Sequence, residues 1–399
     1  MEFKLTNLWK RGCLLARMLI ALWVFSVVSG CRTAEFYRQA AVGQWQIITK
    51  RQSIAKLLEN PDTNARLKQQ LRKVKLIREF AEKELGLAGN GSYSHYLDLE
   101  RPYVVWNVHA APEYSLEEKT WWYPLIGRQS YRGYFSEKGA RQLADSLISD
   151  GYEVHIGGVD AFSTLGWFRD PVLNTFIEYP PASLAAILFH ELAHQRLYVK
   201  DKTDFNEAFA TTVEQEGVRR FLQVHGTAEQ LVSYERELER EGRFFDLVTG
   251  IRKELEDLYQ SVDDCDVLQR PRRGHLQGLP DGGNVEGKLP ERGGVDTASC
   301  FCCAHTMSSE EILVVSGEKQ QILESGRRRY RRLKEQGHLL DEYDRWFGDG
   351  LNNARLNMID TYHDLVPWFR ELLNQQSGNL ELFYEEVERL SKLPETEWR

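Results

Sequence analysis

Residues 180–196 read PPASLAAILFHELAHQR, and this stretch decides the fold of the chain. The proline pair is typical of a helix start, because proline at an early helical position has no amide hydrogen bond to lose. The apolar run 184–189 predicts a helix that is buried on nearly all sides. Two histidines and a glutamate in such a helix are costly without a partner, and a metal ion is the simplest partner.

The same helix carries the pattern His190-Glu191-x-x-His194. Positions i and i+4 lie on one helix face, so both imidazoles can reach one ion. Glu191 points to the side, where its carboxylate can take a proton from water. The structural alternative is an amphipathic helix with two ordinary histidines and an exposed glutamate. The buried context favours the metal site.

A second segment, 206–210, reads NEAFA and lies on a second predicted helix, from about 205 to 224 and ended by Gly226. The first helix is expected to end near residue 200. Two histidines and one glutamate would leave one position of a zinc ion open, which is typical of catalytic rather than structural zinc.

The third ligand cannot be chosen by spacing. The helical rise places both Glu207 and Glu214 within about one turn of the level of His194. The carboxylate that is not a ligand would orient a ligating histidine. There is also a structural alternative for Glu207, because Asp204 is a candidate N-cap and a glutamate three residues later fits a capping box.

The two segments resemble the gluzincin metallopeptidases, the thermolysin and aminopeptidase N group, in which an Asn-Glu pair on the second helix supplies the third zinc ligand. The gap between the two segments is shorter here. The chain more closely resembles the family of predicted bacterial lipoprotein aminopeptidases, in segments 163–168, 188–195, 205–210 and 352–354.

This resemblance implies one Zn²⁺ ion bound by His190, His194 and Glu207, with Glu191 as the catalytic base. Glu214 is then the carboxylate that orients a ligating histidine. The resemblance also implies a peptide substrate and a gluzincin-like metallopeptidase core.

The N-terminus predicts the cellular compartment. Four basic residues precede an apolar run, 18–28, which is too short to span a bilayer comfortably and is typical of a secretory signal. The run ends in VSGC, which resembles a bacterial lipobox, so Cys31 is expected to carry the lipid that anchors the protein in the membrane. The alternatives are an uncleaved signal anchor and a plain signal with a chance cysteine.

Arg32 follows the cysteine, and by resemblance to Gram-negative lipoproteins this favours the periplasmic face of the outer membrane. Removal of the signal, up to Cys31, moves the formal net charge from −8 to −11, because residues 1–31 hold four basic residues and one acidic residue. An acidic body argues against nucleic acid as a partner.

Of the six cysteines, Cys13 and Cys31 belong to the signal, and the other four all lie in the stretch 262–309, which is rich in glycine and proline and has no apolar periodicity. They are Cys265, Cys300, Cys302 and Cys303. Their spacing is not a standard zinc pattern, and in an oxidising periplasm a disulfide that involves Cys265 is at least as consistent with it. The stretch is interpreted as a flexible insertion.

The chain is therefore divided into a signal peptide (1–31), an N-terminal helical region (32–100), a catalytic zinc-binding core (101–261), the insertion (262–309) and a C-terminal helical region (310–399). The expected fold is α+β and predominantly α-helical, with a small β-sheet in the core. Strands are predicted at 104–109 and 152–156, and one of them is expected to bind the substrate backbone as an edge strand. Helices are predicted at 319–347, 352–373 and 380–390.

A peptidase also needs a group that stabilises the oxyanion. Tyr362 is the chosen candidate, because it follows the segment 352–354 that the family resemblance includes. The other candidates are Tyr131, Tyr134, Tyr198 and His363. The segment 169–171 either lines the cleft or forms a simple turn.

The predicted function is zinc-dependent hydrolysis of peptide bonds in the bacterial envelope, with aminopeptidase activity implied by the resemblance. Aminopeptidase action needs an acidic group for the free amine of the substrate, and no sequence motif identifies one. Exopeptidase and endopeptidase action therefore both remain open. The competing functions are a non-catalytic envelope lipoprotein, such as a scaffold or assembly factor, and a peptidoglycan-directed endopeptidase.

Overall fold

The computed structural model describes residues 31–87, 90–123, 127–161, 164, 168–269, 309–339, 341–348, 350–360 and 365–394, and most of these are helical. In chain order the helices are α1 (Cys31–Lys50), α2 (Ile54–Glu59), α3 (Ala65–Glu84), α4 (Glu137–Ser149), α5 (Pro181–Arg196), α6 (Thr203–His225), α7 (Ala228–Gln269), α8 (Ser309–Glu335), α9 (Asp344–Phe347), α10 (Asn353–Asp360), α11 (Val366–Gln375) and α12 (Leu380–Ser391). A 3-10 helix, Asp341–Tyr343, precedes α9.

Short strands form three small sheets. They are β1 (Gln52–Ser53), β2 (His95–Leu97), β3 (Val105–Pro112), β4 (Trp121–Tyr123), β5 (Gly127–Gln129), β6 (Tyr131–Tyr134), β7 (Tyr152–Val159) and β8 (Val172–Leu173). The central sheet has the order β6-β3-β7 with antiparallel neighbours. In the order β1-β2-β8 the first pair is antiparallel and the second parallel, and β4 pairs antiparallel with β5. Because β3 has a partner on each side, it cannot accept a substrate strand, whereas β7 lies at an edge of the described sheet.

Helix α5 lies in the middle of the largest hydrophobic core. Pro181 stands in its first turn, where the missing amide proton costs no hydrogen bond. Leu184, Leu188 and Phe189 are fully buried where the helix packs against α3 and α6. Full burial of one such side chain contributes about 1.5–3 kcal/mol. The apolar run therefore fixes the helix that carries the histidines in a rigid setting.

Aromatic side chains hold the C-terminal helices α11 and α12 against α6. Phe205 and Phe369 pack edge to face with ring centroids 5.0 Å apart, and Phe209 stacks on Phe383 at 5.9 Å. Such pairs add about 0.5–1.5 kcal/mol to the burial of their rings. The outer side of α6 is thereby covered, and its opposite side meets α5.

One face of the central sheet is covered by α4. Trp106, Val108 and Ala110 alternate along β3 and pack with Ala140 and Ala144 of the helix. This alternation is the period of two that a half-buried strand requires. Helix α4 therefore covers the apolar side chains of this face of the sheet.

Helices α7 and α8 form a second core. Phe244, Val248, Ile251 and Leu255 follow helical spacing along α7 and are buried against α8. The two helices flank the predicted insertion, of which residues 270–308 lie outside the described part of the chain.

The predicted fold class, α+β and predominantly α-helical, is confirmed. Three element boundaries were predicted wrongly. Helix α5 ends at Arg196 rather than near residue 200. The helix predicted at 319–347 ends at Glu335, because Gly337 takes a positive φ of 73° and the amide of His338 bonds back to the carbonyl of Leu333. The helix predicted at 352–373 is two helices, with Pro367 in the first turn of the second.

No helix among the described residues has both the length and the apolar character that crossing a bilayer requires.

Candidate metal centre

Three side chains from α5 and α6 converge on one point. Nε2 of His190 lies 3.2 Å from Nε2 of His194 and 3.2 Å from Oε2 of Glu207. The third side of the triangle, from His194 Nε2 to Glu207 Oε2, measures 3.4 Å. These residues form a group that could hold a metal ion.

The two histidines meet because they are one helical turn apart on α5, and Glu207 is brought to them by the connection to α6. Asn206 makes this connection rigid. Its side chain accepts a hydrogen bond from the amide of Val199 and donates one to the carbonyl of the same residue, both at 2.7 Å. Asn206 is buried, so the next residue, Glu207, has little freedom in its position.

The capping box that would have been the structural alternative for Glu207 does not form as predicted. Helix α6 begins at Thr203, after Lys202, so Asp204 lies inside the first turn and is not the residue before it. The carboxylate of Glu207 is turned towards the imidazoles. Its hydrogen bonds there replace the backbone contact that a capping box would give.

Glu214 occupies a different place from Glu207. Its Oε2 lies 3.0 Å from Nδ1 of His190, the ring nitrogen that faces away from the triangle. When Nδ1 donates its proton to this carboxylate, Nε2 is left with a lone pair that points to the centre. Within the described residues, Nδ1 of His194 is buried without a hydrogen-bond partner. The geometry therefore makes Glu207 the carboxylate that reaches both histidines and Glu214 the one that orients His190.

The size of the triangle fits a zinc ion. Four ligand atoms at the usual zinc bond lengths form a tetrahedron with edges of about 3.3–3.4 Å. The three distances of 3.2, 3.2 and 3.4 Å are close to these edges. Lone pairs at this separation repel one another unless a cation or a proton lies between them. The donor set of two imidazoles and one carboxylate matches the ligand preference of zinc.

The electrostatics of the cluster also favour a cation. Burial acts to lower the pKa of His190, but its hydrogen bonds to Glu207 and Glu214 outweigh burial and hold the pKa well above its ordinary value. Burial acts to raise the pKa of Glu207, but the hydrogen bonds from His190 and His194 outweigh it and lower the pKa. Without a metal the cluster thus retains a proton, which metal binding would release.

Glu191 stands beside the triangle and faces an open cleft of about 240 Å³. Burial raises the pKa of its carboxyl, and the imidazoles of His190 and His194 act in the opposite direction. A carboxylate with a raised pKa accepts a proton more readily near neutral pH. The cleft is lined by Asp160, Ala161, Ala186, Ile187, His190, Glu191 and Glu214.

The tyrosine candidates are spread over several places. Tyr131 packs against His109 with ring centroids 5.6 Å apart, and its pKa is raised by burial first and then by Glu207. Burial also raises the pKa of Tyr198. Tyr134 packs instead against Phe36. Tyr362 and His363 lie outside the described residues, so the choice of Tyr362 remains a prediction.

Other predicted features can be placed only in part. Cys31 is the first residue of α1, whereas the predicted signal at 1–30 lies outside the described residues. Asp170 is buried and accepts hydrogen bonds from the amide and hydroxyl of Thr164.

Three residues near the cleft were not found from the sequence. Asp160 lines the cleft, and Asn206 holds the turn between α5 and α6. Tyr93 is fully buried with a φ of 57°, and its pKa is raised by burial first and then by Glu191 and Asp170. Only Asn206 carried a signal, as the neighbour of Glu207. Asp160 and Tyr93 lie too far from the motif in sequence to be linked to it.

The comparisons with known proteins identify the class. The chain belongs to the family described as "Putative aminopeptidase", whose model matches residues 35–279 and 308–399, well over half of the chain. The gap between the two matched parts falls inside the predicted insertion. No curated protein and no solved structure matches the chain. Family membership supports peptidase activity.

Proposed function

We propose that the protein is a zinc-dependent peptidase of the bacterial envelope that acts as an aminopeptidase. The observation that carries this proposal is the triangle of His190, His194 and Glu207, whose sides are close to the edges of a zinc tetrahedron. Membership of the aminopeptidase family supports the same class of reaction.

His190, His194 and Glu207 would hold the zinc ion and leave one position open. A bound zinc would supply a Lewis acid that polarises a substrate carbonyl and lowers the pKa of water. Glu214 holds the proton on Nδ1 of His190 and so fixes the tautomer and the orientation of that ring.

Glu191 moves the proton during hydrolysis. Its carboxylate takes a proton from the attacking water as the new carbon–oxygen bond forms. The same carboxyl then gives this proton to the leaving amine as the carbon–nitrogen bond breaks, so the enzyme returns to its starting state. The raised pKa of Glu191, caused by burial, suits both transfers.

The substrate is a peptide, and β7 is the strand that suits its backbone. This strand lies at an edge of the described sheet, and the residue after its last, Asp160, lines the cleft. A peptide that pairs with an edge strand gains main-chain hydrogen bonds without a demand on its sequence.

We also propose that a lipid on Cys31 anchors the protein at the periplasmic face of the outer membrane. Support comes from the basic start, the apolar run 18–28 and the VSGC segment before the mature chain. Cells that express the wild type should then incorporate a labelled fatty acid into the protein, and the Cys31→Ser variant should incorporate none. Equal labelling of the two proteins, or no labelling of the wild type, would contradict the anchor.

The test of the reaction compares metal content and turnover. Wild-type protein and the Glu191→Gln variant should each bind about one zinc per chain, because Glu191 is not a ligand. The variant should lose turnover of a peptide library by about 10²–10⁴-fold. The Glu207→Ala variant should lose zinc as well. The matched control is Glu178→Gln, which should keep both zinc and turnover. Glu178 is an exposed carboxylate that pairs with Arg66.

Other outcomes would favour the competing functions. If the Glu191→Gln variant supports growth and envelope integrity as well as the wild type does, the protein acts as a scaffold. If the wild type cleaves muropeptides and leaves linear peptides intact, it is a peptidoglycan-directed endopeptidase. Absence of zinc from the wild type after purification and zinc addition would contradict the metal centre itself.

A further inference from the structure

The cleft beside the metal centre contains a carboxylate that peptide hydrolysis does not use. Asp160 lines this cleft together with Glu191 and Glu214. Glu191 is assigned to proton transfer, and Glu214 is bound to His190. Asp160 comes directly after β7 and has no assigned role.

The surroundings of Asp160 leave its charge without a cation. Its Oδ2 accepts a hydrogen bond of 2.7 Å from the hydroxyl of Tyr179. Burial raises its pKa and the hydrogen bond from Tyr179 opposes that rise, and no cationic side chain of the described residues contributes. A partly buried carboxylate without a counter-charge is a favourable place for a cationic ligand.

The charge of the whole cleft limits the ligand further. The cleft has three carboxylates, Asp160, Glu191 and Glu214, and Glu207 lies beside it, so four negative charges outweigh the two positive charges of a bound zinc ion and the cleft attracts an ammonium group. Its volume, about 240 Å³, is below the roughly 300–1,000 Å³ of sites for drug-sized ligands. A short amino-terminal group therefore suits it better than a long internal segment.

We infer that Asp160 binds the α-ammonium group of a peptide substrate and so restricts cleavage to the first peptide bond. The inference rests on the proposed peptidase function and deepens it by naming the residue that recognises the free amine of the substrate. With the ammonium group on Asp160 and the first carbonyl beside Glu191, both ends of one amino-terminal residue lie in the same cleft. Tyr179 is a positioning residue, because its hydroxyl fixes one oxygen of the carboxylate.

The test uses matched hexapeptides that differ only in a free or an N-acetylated amino terminus. Wild-type enzyme should cleave the free-amine peptides, and Asp160→Asn should lower their kcat/KM at least tenfold, mainly through KM. Slow cleavage of the N-acetylated peptides should be the same in both enzymes. Tyr179→Phe should give a smaller loss of the same kind. The control is Glu178→Gln, on the same segment of the chain but exposed and paired with Arg66.

A binding measurement tests recognition of the free amine separately from hydrolysis of the peptide. In the Glu191→Gln background, calorimetry should detect binding of a free-amine hexapeptide at least tenfold tighter than binding of its N-acetylated form. The further change Asp160→Asn should abolish that difference. Thermal melting and zinc content should stay close to those of the Glu178→Gln control, because the carboxamide keeps the shape of the carboxylate.

The outcomes are distinguishable. If wild-type enzyme cleaves neither set of peptides, the peptidase function and this inference both fail. If it cleaves free and N-acetylated peptides equally well, aminopeptidase action and this inference both fail, and only the zinc-dependent peptidase activity stands. If Asp160→Asn keeps the preference for the free amine, this inference alone is overturned.

Discussion

Asn206 shows how one side chain can place another. Its amide satisfies both the amide and the carbonyl group of Val199, and Glu207 is the next residue in the chain. The side chain of Asn206 thus makes the pair of hydrogen bonds to Val199 that a residue of a neighbouring strand would make with its backbone. The Asn-Glu pair thus has two functions: the asparagine fixes the turn, and the glutamate faces the metal centre.

Replacement of Asn206 by alanine should therefore weaken both stability and metal binding. The two backbone groups of Val199 lose their partner, and we expect the free energy of unfolding to fall by about 1–3 kcal/mol. Urea denaturation and zinc titration of the same protein measure both effects. Glu178→Gln is the control and should keep both values, because Glu178 is exposed and pairs with Arg66. Unchanged zinc affinity in Asn206→Ala would contradict the role of this turn.

Glu214 should influence the metal through His190 without touching the ion. Removal of such an orienting partner typically lowers metal affinity about 10–100-fold. We expect this loss for Glu214→Ala in competition with a zinc-binding dye, with one zinc per chain still bound at saturation. Glu216→Gln is the control, because Glu216 lies on the same helix and pairs with Arg220. A complete loss of the site would mean that Glu214 is itself a ligand.

Between elements, a buried polar network joins α8 to the central sheet. The ammonium group of Lys319 is almost fully buried and lies 2.6 Å from Oε1 of Glu153 and 2.6 Å from the carbonyl of Glu113. The other oxygen of Glu153 accepts the backbone amide of Asn353 at 2.7 Å. The side chain of Asn353 donates to the carbonyl of Pro112, the last residue of β3, and to the carbonyls of Glu113 and Ser115 just after the strand. The network ties α8, α10, β3 and β7 together.

Lys319→Met should destabilise this junction strongly. The variant leaves the carboxylate of Glu153 buried without its cation, and loss of one partner of a buried pair costs about 3–5 kcal/mol. The double variant Lys319→Met/Glu153→Gln should recover part of this loss, because no unpaired charge remains. Urea denaturation followed by circular dichroism measures the cycle. If the double variant is no more stable than Lys319→Met, the charge of Glu153 is not the cause.

For the whole molecule, one buried histidine, His109, and one partly buried histidine, His155, make stability depend on pH. Burial lowers the pKa of His109 to about 4, and burial with the nearby charge of Arg355 lowers the pKa of His155 to about 3. In the unfolded chain both would have a pKa near 6.5. Below that pH the unfolded state binds more protons than the folded state, so stability is lost as the pH falls from about 6.5 towards 4.

We expect each of these histidines to cost about 2 kcal/mol of stability at pH 5 relative to pH 7.5. Urea titrations of wild type, His109→Gln and His155→Gln at the two pH values measure this, and each variant should lose less stability on acidification than the wild type. The titration at pH 7.5 is the internal control, because both imidazoles are neutral there in either state. Equal losses in all three proteins would contradict the prediction.

Much of the helical structure follows from local patterns. The apolar spacing of α7, the proline at the start of α5 and the glycine after α6 all act within a few residues of the element that they define. Boundaries were less predictable. Gly337 follows the end of one helix and Pro367 lies at the start of another, although apolar residues continue at helical spacing through both positions. The backbone conformation of a single glycine or proline can end a helix that the side chains around it favour.

The sequence by itself determined the helical fold class and the pair of histidines, because residues at i and i+4 share a helix face in any context. It also restricted the third ligand to two glutamates on one helix. The family resemblance favoured Glu207, but only the tertiary structure brings Glu207 beside both histidines, because its position depends on the turn that Asn206 holds. The tertiary structure alone also brought Asp160 to the cleft that His190 lines, 30 positions further along the chain. It likewise brought Lys319 to Glu153, across 166 positions. Such contacts depend on how elements pack, and no local pattern encodes them.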